Sequence, residues 1–216
     1  MSMEAVGEPA FTHRWVPNGP RALALVLHGG AETGTDPVGA RSLSWQRGRL
    51  LARSLARPLR RDAVGVVLLR YRVKGWNDAG DPDPVRDARW ALGALARQHD
   101  LPVVLVGHSM GARTAVAVAD DRAVRGVVAL APWLPAGEDV TPLAGKVLRA
   151  AHGTGDRVTS AAATRAFVAR ANEVGDARFT DMGDVGHYLL RRSRAWTGFA
   201  LAGVREILND VRGQEG

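Results

Sequence analysis

Short apolar segments alternate along the chain with longer segments whose apolar residues recur every three or four positions. The short segments are apolar on both faces, which is typical of strands in a covered parallel sheet. They predict strands over 21–27, 63–69, 102–106, 124–130, 146–151 and 177–181, and an introductory edge strand over 11–16. The amphipathic segments predict helices over 45–59, 85–98, 110–119, 160–174 and 188–212. This alternation predicts an α/β fold with a mostly parallel central sheet and helices on both faces.

Length and composition suit one domain over 1–216, with residues 1–20 as an N-terminal edge segment. The chain has 216 residues, of which 46% are hydrophobic and 24% are charged. It lacks cysteine, which excludes disulfides, thiolate nucleophiles and cysteine metal sites. No apolar run approaches the roughly 20 residues that cross a bilayer, and the N-terminus does not resemble a secretory signal. We expect a cytoplasmic protein without a membrane partner. The oligomeric state stays open.

The net charge of +7 could indicate a nucleic-acid partner. However, the arginines are dispersed, often beside acidic residues, as in the pair Arg86 and Asp87. The densest groups, within 57–61 and 191–194, lie in predicted helices and are interpreted as solvated faces. A basic stripe with interleaved aromatic residues is missing. We therefore expect no nucleic-acid partner.

The pentapeptide 107–111, of sequence Gly-His-Ser-Met-Gly, joins a predicted strand directly to a predicted helix. This is the pattern G-x-S-x-G in its required strand–turn–helix context. The turn is so tight that the flanking glycines are needed to avoid collisions with the neighbouring strand and helix. It pushes the Ser109 hydroxyl out at the end of the strand and directs the backbone N–H of Met110 towards a developing oxyanion.

A serine hydroxyl is a weak nucleophile, so it requires a base and an acid that orients the base. Asp156 follows the strand predicted over 146–151, and His187 follows the last predicted strand. Both candidates fall where the strands end, which is the edge at which open α/β sheets place their ligands. Asp184 and Asp181 are the nearest rivals for the acid. They lie close to His187 in sequence, so Asp156 is preferred.

A Gly-rich turn at 28–30 ends the first central strand and can direct a second backbone N–H at the oxyanion. We assign that donor to Gly30, with Ala31 as the neighbouring possibility. His28 is interpreted as a structural residue that holds this turn. His108 is expected to pack beneath the serine turn, and His152 to lie beside the acid-bearing turn. No spacing of histidines and acids resembles a metal site, so neither a metal nor another cofactor is expected.

Taken together, these segments resemble a small α/β-hydrolase, similar to serine esterases of the dienelactone-hydrolase and lipase-like branches, over about residues 21–212. The order of Ser109, Asp156 and His187 along the chain matches that family. The resemblance implies that Ser109 is the nucleophile, His187 the general base and Asp156 the orienting acid. It also implies that Gly30 and Met110 form the oxyanion hole.

The segment 131–145 departs from many relatives, because it is too short to hold a helical cap. We therefore expect no cap domain and an open, shallow site walled by loops. Core packing competes with substrate contact as the role of several wall candidates. These candidates are Glu32, Thr33, Trp76, Trp133, Leu134 and Tyr188. Trp90 and Trp196 lie in predicted helices and are interpreted as core residues.

These observations favour a serine hydrolase that cleaves a small-molecule ester or thioester through an acyl-enzyme. An acyltransferase or macrocyclase could use the same acyl-enzyme, with an amine or alcohol in place of water. A third hypothesis is that the protein has this fold but only binds a ligand, without catalysis. It does not explain why a serine, a base and an acid are all present.

Overall fold

A computed structural model describes the backbone of residues 7–214 and the side chains of residues 7–210. The first six residues of the predicted edge segment lie outside it. The strands are β1 (Ala10–Trp15), β2 (Ala22–Leu27), β3 (Val64–Arg70), β4 (Val103–His108), β5 (Val124–Leu130), β6 (Val147–His152) and β7 (Asp176–Asp181). The helices are α1 (Leu43–Arg61), α2 (Asp83–Ala96), α3 (Met110–Ala117), α4 (Ala161–Ala171) and α5 (Ser193–Gln214), and Thr141–Leu143 forms a 3₁₀ turn.

The strands form one sheet in the order β1-β3-β2-β4-β5-β6-β7. All neighbouring strands are parallel except β1, which pairs antiparallel with β3 at the edge. Helices α1 and α5 pack against each other, as do α2 and α3. The predicted α/β architecture with a mostly parallel sheet is confirmed, and the loop between β5 and β6 contains only the 3₁₀ turn, in agreement with the expectation of no cap domain.

The centre of the sheet is apolar because it is covered on both sides. Every residue of β2 is buried, and so is every residue of β4. Leu25 of β2 lies in register with Val67 of β3 and Leu105 of β4, so branched side chains meet across three strands. Burying one such side chain contributes about 1.5–3 kcal/mol. This rigid centre fixes the strand ends from which the candidate site is built.

Helix α1 extends further than its sequence predicts. A stop near Pro58 is expected because proline lacks the backbone N–H that a helix interior needs. The helix nevertheless continues to Arg61, with Pro58 inside it. Leu55 and Leu59 are fully buried, on either side of the proline. We attribute the continuation to this packing, which outweighs one missing hydrogen bond in the last turn.

The last helix begins later than expected, at Ser193 instead of Tyr188. Leu189 and Arg192 have positive φ angles of 60° and 56°. This left-handed conformation is incompatible with a continuous right-handed helix. The segment 188–192 is consequently a loop that carries the chain from the candidate site to α5.

The two helical tryptophans differ in their surroundings. Trp196 is fully buried, as predicted, whereas the core assignment of Trp90 is wrong because this side chain is 40% exposed. The buried positions of α2 include Asp87, Ala91 and Leu95, and Trp90 lies outside that face. Its ring packs on Phe11 of the edge strand, 5.2 Å away between centroids.

Among the helices of the described region, none has the length and apolarity to span a membrane.

Candidate active site

The turn that carries Ser109 has the strained backbone that its sequence predicts. Ser109 adopts φ 56° and ψ −121°, a region that residues with a side chain rarely occupy. A Cβ atom on Gly107 would lie 2.4 Å from the Ala112 backbone, and one on Gly111 would lie 2.2 Å from the Leu27 carbonyl oxygen. Glycine is thus required at both positions, and the turn holds the Ser109 hydroxyl at the end of β4.

The Ser109 hydroxyl is the first member of a hydrogen-bonded chain of three side chains from separate segments. His187 Nε2 lies 2.9 Å from Ser109 Oγ, and His187 Nδ1 lies 2.8 Å from Asp156 Oδ2. A carboxylate only accepts hydrogen bonds, so Nδ1 carries the imidazole proton and donates it to Asp156. Nε2 then presents a lone pair to the serine O–H. The chain can therefore take up the serine proton on His187 while Asp156 stabilises the resulting imidazolium.

The Asp156 carboxylate is held by five hydrogen bonds. The Oδ1 atom accepts the backbone N–H groups of Val158 and Thr159 at 2.8 and 2.9 Å. The Oδ2 atom accepts from His187, from His152 Nε2 at 3.0 Å and from the Thr159 hydroxyl at 3.0 Å. Burial alone would raise the pKa of Asp156. The hydrogen bonds from His152, His187 and the two backbone N–H groups outweigh burial and hold the pKa well below its ordinary value.

The rival acids occupy other positions. Asp181 Oδ1 accepts the backbone N–H of Gly183 at 2.7 Å, and Asp181 Oδ2 lies 3.8 Å from Arg165. Asp184 lies beside Gly155, where its Oδ1 atom would be 2.3 Å from an added Cβ. Of the three candidate acids, Asp156 is the one hydrogen-bonded to His187 within the described part of the chain.

Two further histidines, His108 and His28, support the site through buried hydrogen bonds. His108 Nε2 donates to the His187 carbonyl oxygen at 2.9 Å, which ties the serine turn to the histidine loop. His28 Nδ1 donates to the Gly29 carbonyl oxygen at 2.6 Å, and its Nε2 accepts the Tyr71 N–H at 3.3 Å. Burial lowers the pKa of His108 to about 3 and that of His28 to about 4. Both imidazoles are neutral at pH 7, which agrees with structural roles.

Two backbone N–H groups lie free beside the serine. Within the described residues, the N–H groups of Gly30 and Met110 have no protein acceptor. The two residues are adjacent, since a Cβ on Gly30 would lie 2.5 Å from Met110 Sδ. By contrast, the N–H of Ala31 donates to the Lys74 carbonyl oxygen at 2.9 Å. This bond favours Gly30 over Ala31 as the second oxyanion donor.

One side of the site is a wall of two tryptophan rings that lie edge-on to each other around a cation. The Arg113 guanidinium lies 4.0 Å from the Trp76 ring centroid and 4.5 Å from that of Trp133. Glu138 holds the same guanidinium through contacts of 2.8 Å to both of its oxygens. The backbone N–H of Trp133 donates to the Ser109 carbonyl oxygen at 3.2 Å. The wall is therefore anchored directly to the serine turn.

The remaining predicted wall residues differ in exposure. Trp76 and Leu134 are buried, Trp133 is partly buried, Glu32 is exposed, and 48% of Tyr188 is exposed. The Tyr188 ring packs edge-on against His187, with 5.4 Å between centroids. Tyr188 and Trp133 thus combine an accessible surface with a position beside the serine or the histidine.

Sequence reasoning missed four residues at this site. Thr159 contacts Asp156, and a threonine in a polar turn gives no signal of that role. Arg113 and Glu138 come together only through the packing of α3 against the 131–145 loop. Arg47 of α1 stacks on Tyr188, with 4.6 Å between Cζ and the ring centroid.

Within residues 7–210, no group of three or more histidines and acids is arranged to hold a metal ion.

This fold is that of the α/β hydrolases. Residues 24–211 match the α/β hydrolase family, so the chain belongs to that family, which supports a hydrolase. None of the curated proteins matches the chain.

Several solved structures share the fold at low sequence identity. A serine hydrolase without lid from Xanthomonas campestris is 20% identical, with a TM-score of 0.65 over 89% of this chain and 87% of that one. A serine hydrolase homologue from Coxiella burnetii is 17% identical, with a TM-score of 0.67 over 93% and 99% of the two chains. Est1E from Butyrivibrio proteoclasticus, in a structure with ferulic acid bound, is 13% identical, with a TM-score of 0.68 over 93% and 96%.

Proposed function

We propose that the protein is a serine hydrolase that cleaves carboxylic ester or thioester bonds through an acyl-enzyme. The observation that carries this proposal is the pair of hydrogen bonds that His187 makes, at 2.9 Å to Ser109 and 2.8 Å to Asp156. Both distances lie within hydrogen-bonding range, which is what a nucleophile, its base and an orienting acid require.

In the first step, Ser109 Oγ attacks the substrate carbonyl carbon while its proton moves to His187 Nε2. The carbonyl oxygen becomes an oxyanion, and the N–H groups of Gly30 and Met110 donate hydrogen bonds to it. The tetrahedral intermediate collapses when the bond to the leaving group breaks. His187 Nε2 gives its proton to the departing alcohol or thiol, which leaves the acyl group esterified to Ser109.

In the second step, a water molecule attacks the same carbonyl carbon. His187 Nε2 takes a proton from the water, and the second tetrahedral intermediate forms in the same oxyanion hole. When it collapses, His187 returns the proton to Ser109 Oγ and the carboxylic acid leaves. Asp156 stabilises the imidazolium in both steps and remains a carboxylate throughout, because its hydrogen bonds keep its pKa low.

Esters and thioesters are the favoured substrates for two reasons. Their leaving groups need less help from a general acid than the amine of a peptide. The accessible aromatic rings of Trp133 and Tyr188 also suit an apolar acyl or aryl group better than a charged peptide. One structural relative is named as the esterase domain of a Rhodothermus marinus protein, and another has ferulic acid bound.

The experiment combines turnover of short-chain aryl esters with labelling by a fluorophosphonate. We expect the wild-type protein to hydrolyse para-nitrophenyl acetate or butyrate and to carry one label on Ser109. Ser109→Ala should lose both properties. Ser54→Ala is the matched control, because Ser54 lies on the exposed side of α1, where its hydroxyl donates to the Leu50 carbonyl oxygen. Full activity of Ser109→Ala would overturn the proposal.

A further inference from the structure

Helix α1 brings a cation to the catalytic end of the sheet. A Cβ atom on Gly48 would lie 2.7 Å from His28 Cβ, so α1 packs closely against the residue that begins the oxyanion turn. Arg47 is the neighbour of Gly48 on this helix. Its guanidinium covers the face of Tyr188, with 4.6 Å between Cζ and the ring centroid. Arg47 therefore lies between the start of the oxyanion turn and the loop that carries His187.

Arg47 differs from several other arginines because, among the residues that the structure describes, it has no acidic partner. Arg72, Arg113 and Arg149 are each paired with carboxylates. In the described part of the chain, Arg47 forms neither an ion pair nor a hydrogen bond, and its Nε atom is buried without an acceptor. A guanidinium has five N–H donors and stays protonated in proteins, so leaving it unpaired and partly buried is unfavourable.

The electrostatics agree with a cation placed near the catalytic groups. Burial lowers the pKa of Arg47, and within the described residues no carboxylate opposes this effect. Burial is the main cause of the lowered pKa of His108, and the positive charge of Arg47 also contributes to it. The Tyr188 ring lies between Arg47 and His187. Arg47 Cζ is 4.6 Å from the centroid of the Tyr188 ring, and this centroid is 5.4 Å from that of the His187 ring. The guanidinium therefore lies within about 10 Å of the His187 ring.

We propose that Arg47 binds a carboxylate of the substrate, so that the preferred substrates are small esters or thioesters that carry a negative charge within a few bonds of the scissile carbonyl. This inference deepens the proposed function and rests on it. Tyr188 would support the same subsite by holding the guanidinium against its ring. A substrate carboxylate would supply the acceptor that the chain itself does not provide.

Matched pairs of esters test this proposal. On the acyl side, the pair is mono-para-nitrophenyl glutarate and its neutral methyl ester. On the leaving-group side, it is para-carboxyphenyl acetate and its neutral methyl ester. Within each pair, the charge changes while the reacting bond is preserved. We expect kcat/KM to favour the charged member of at least one pair by about tenfold, and this preference to shrink in high salt. The pair that shows the preference tells which side of the substrate faces Arg47.

The variant Arg47→Gln should abolish this preference, and Arg49→Gln is the matched control. Arg49 lies two residues further along α1, is exposed and stacks on Trp45, so Arg49→Gln should keep the preference. The proposal is overturned when the wild-type protein shows no preference for either charged ester, or when Arg47→Gln retains it. If the wild-type protein hydrolyses the neutral esters through Ser109 without any preference, the anion subsite is wrong while the hydrolase proposal stands.

A binding measurement separates the subsite from catalysis. In a Ser109→Ala background, which cannot form an acyl-enzyme, para-carboxyphenyl acetate and mono-para-nitrophenyl glutarate are titrated by calorimetry. We expect at least one of them to bind about tenfold more tightly than its methyl ester, and the added Arg47→Gln change to remove the difference. Charge-selective binding that depends on Arg47 supports the subsite even if no ester is turned over. Equal binding of both members of both pairs overturns it.

Discussion

His152 and Asp156 are joined by a hydrogen bond of 3.0 Å between Nε2 and Oδ2, and this oxygen is the one that accepts from His187. Two imidazoles therefore share one carboxylate oxygen. The other nitrogen of His152 lies 2.8 Å from the Thr164 hydroxyl, and the side chain is fully buried. His152 thus fixes the orientation of the acid without contacting the serine.

His152→Leu should lower kcat by about tenfold and change KM little, because a hydrogen bond to a charged group contributes about 1.5–3 kcal/mol. The loss should be confined to kcat because His152 acts on Asp156 and lies away from the substrate. His99→Gln, a change at a partly exposed histidine outside the site, is the control. Steady-state kinetics with an aryl ester check this, and an unchanged kcat would show that His152 does not position the acid.

Ser109→Gly should unfold at a higher urea concentration than Ser109→Ala. Both variants lack the hydroxyl, but alanine keeps a Cβ atom at a φ of 56°. Glycine tolerates this conformation, so the difference in the free energy of unfolding should be about 1–2 kcal/mol. Equal stability of the two variants would mean that the serine turn is unstrained.

The pH dependence of kcat/KM should show one acidic limb, because only neutral His187 can accept the serine proton. Asp156 does not contribute a second limb, since its hydrogen bonds hold its pKa well below its ordinary value. His108 does not contribute one either, because burial lowers its pKa to about 3. Activity should therefore rise with pH along a one-proton curve and then stay level. A profile that is flat from about pH 5 to pH 8 would contradict the role of His187.

The free energy of unfolding should fall as the pH drops from about 6.5 towards 4. The unfolded chain binds protons on its histidines in this range, whereas burial lowers the pKa of His28 to about 4 in the folded protein. The folded state is therefore favoured above the ordinary histidine pKa and loses this advantage as the pH falls. The loss from His28 should be about 2–3 kcal/mol.

Urea unfolding at neutral pH and near pH 4.5 measures this dependence. His28→Asn, which retains a hydrogen-bond donor but does not titrate, should show a shallower decline than the wild-type protein. The same slope in both proteins would indicate that other groups cause the acid sensitivity.

Much of the fold and the core of the site could be predicted because they follow from local patterns. Strands apolar on both faces define the parallel sheet, and the Gly-x-Ser-x-Gly turn marks the end of one strand. Ser109, Asp156 and His187 then follow from the rule that the carboxyl ends of parallel strands meet at one edge. Only the parallel arrangement of the strands is needed to predict that these three residues meet, and the sequence patterns indicate that arrangement.

The other features depend on contacts between distant segments. Pro58 remains helical because Leu55 and Leu59 of the same helix are buried beside it, and Trp90 is exposed because its helix turns another face inward. Tyr188 precedes a helix that begins only after two residues with a left-handed backbone conformation. The spacing of apolar residues gives no sign of that conformation. Arg47 appears in the sequence as one of many dispersed arginines. Its lack of an acidic partner can be recognised only when α1 is placed beside the His187 loop.

The most direct test of the account is a crystal structure of the protein inhibited by an alkyl fluorophosphonate. The account predicts a covalent bond between Ser109 Oγ and phosphorus, with the phosphonyl oxygen about 2.7–3.1 Å from the backbone nitrogens of Gly30 and Met110. His187 Nε2 should remain within hydrogen-bonding distance of Ser109 Oγ. A phosphonate on another residue, or His187 and Asp156 turned away from Ser109, would contradict the proposed mechanism.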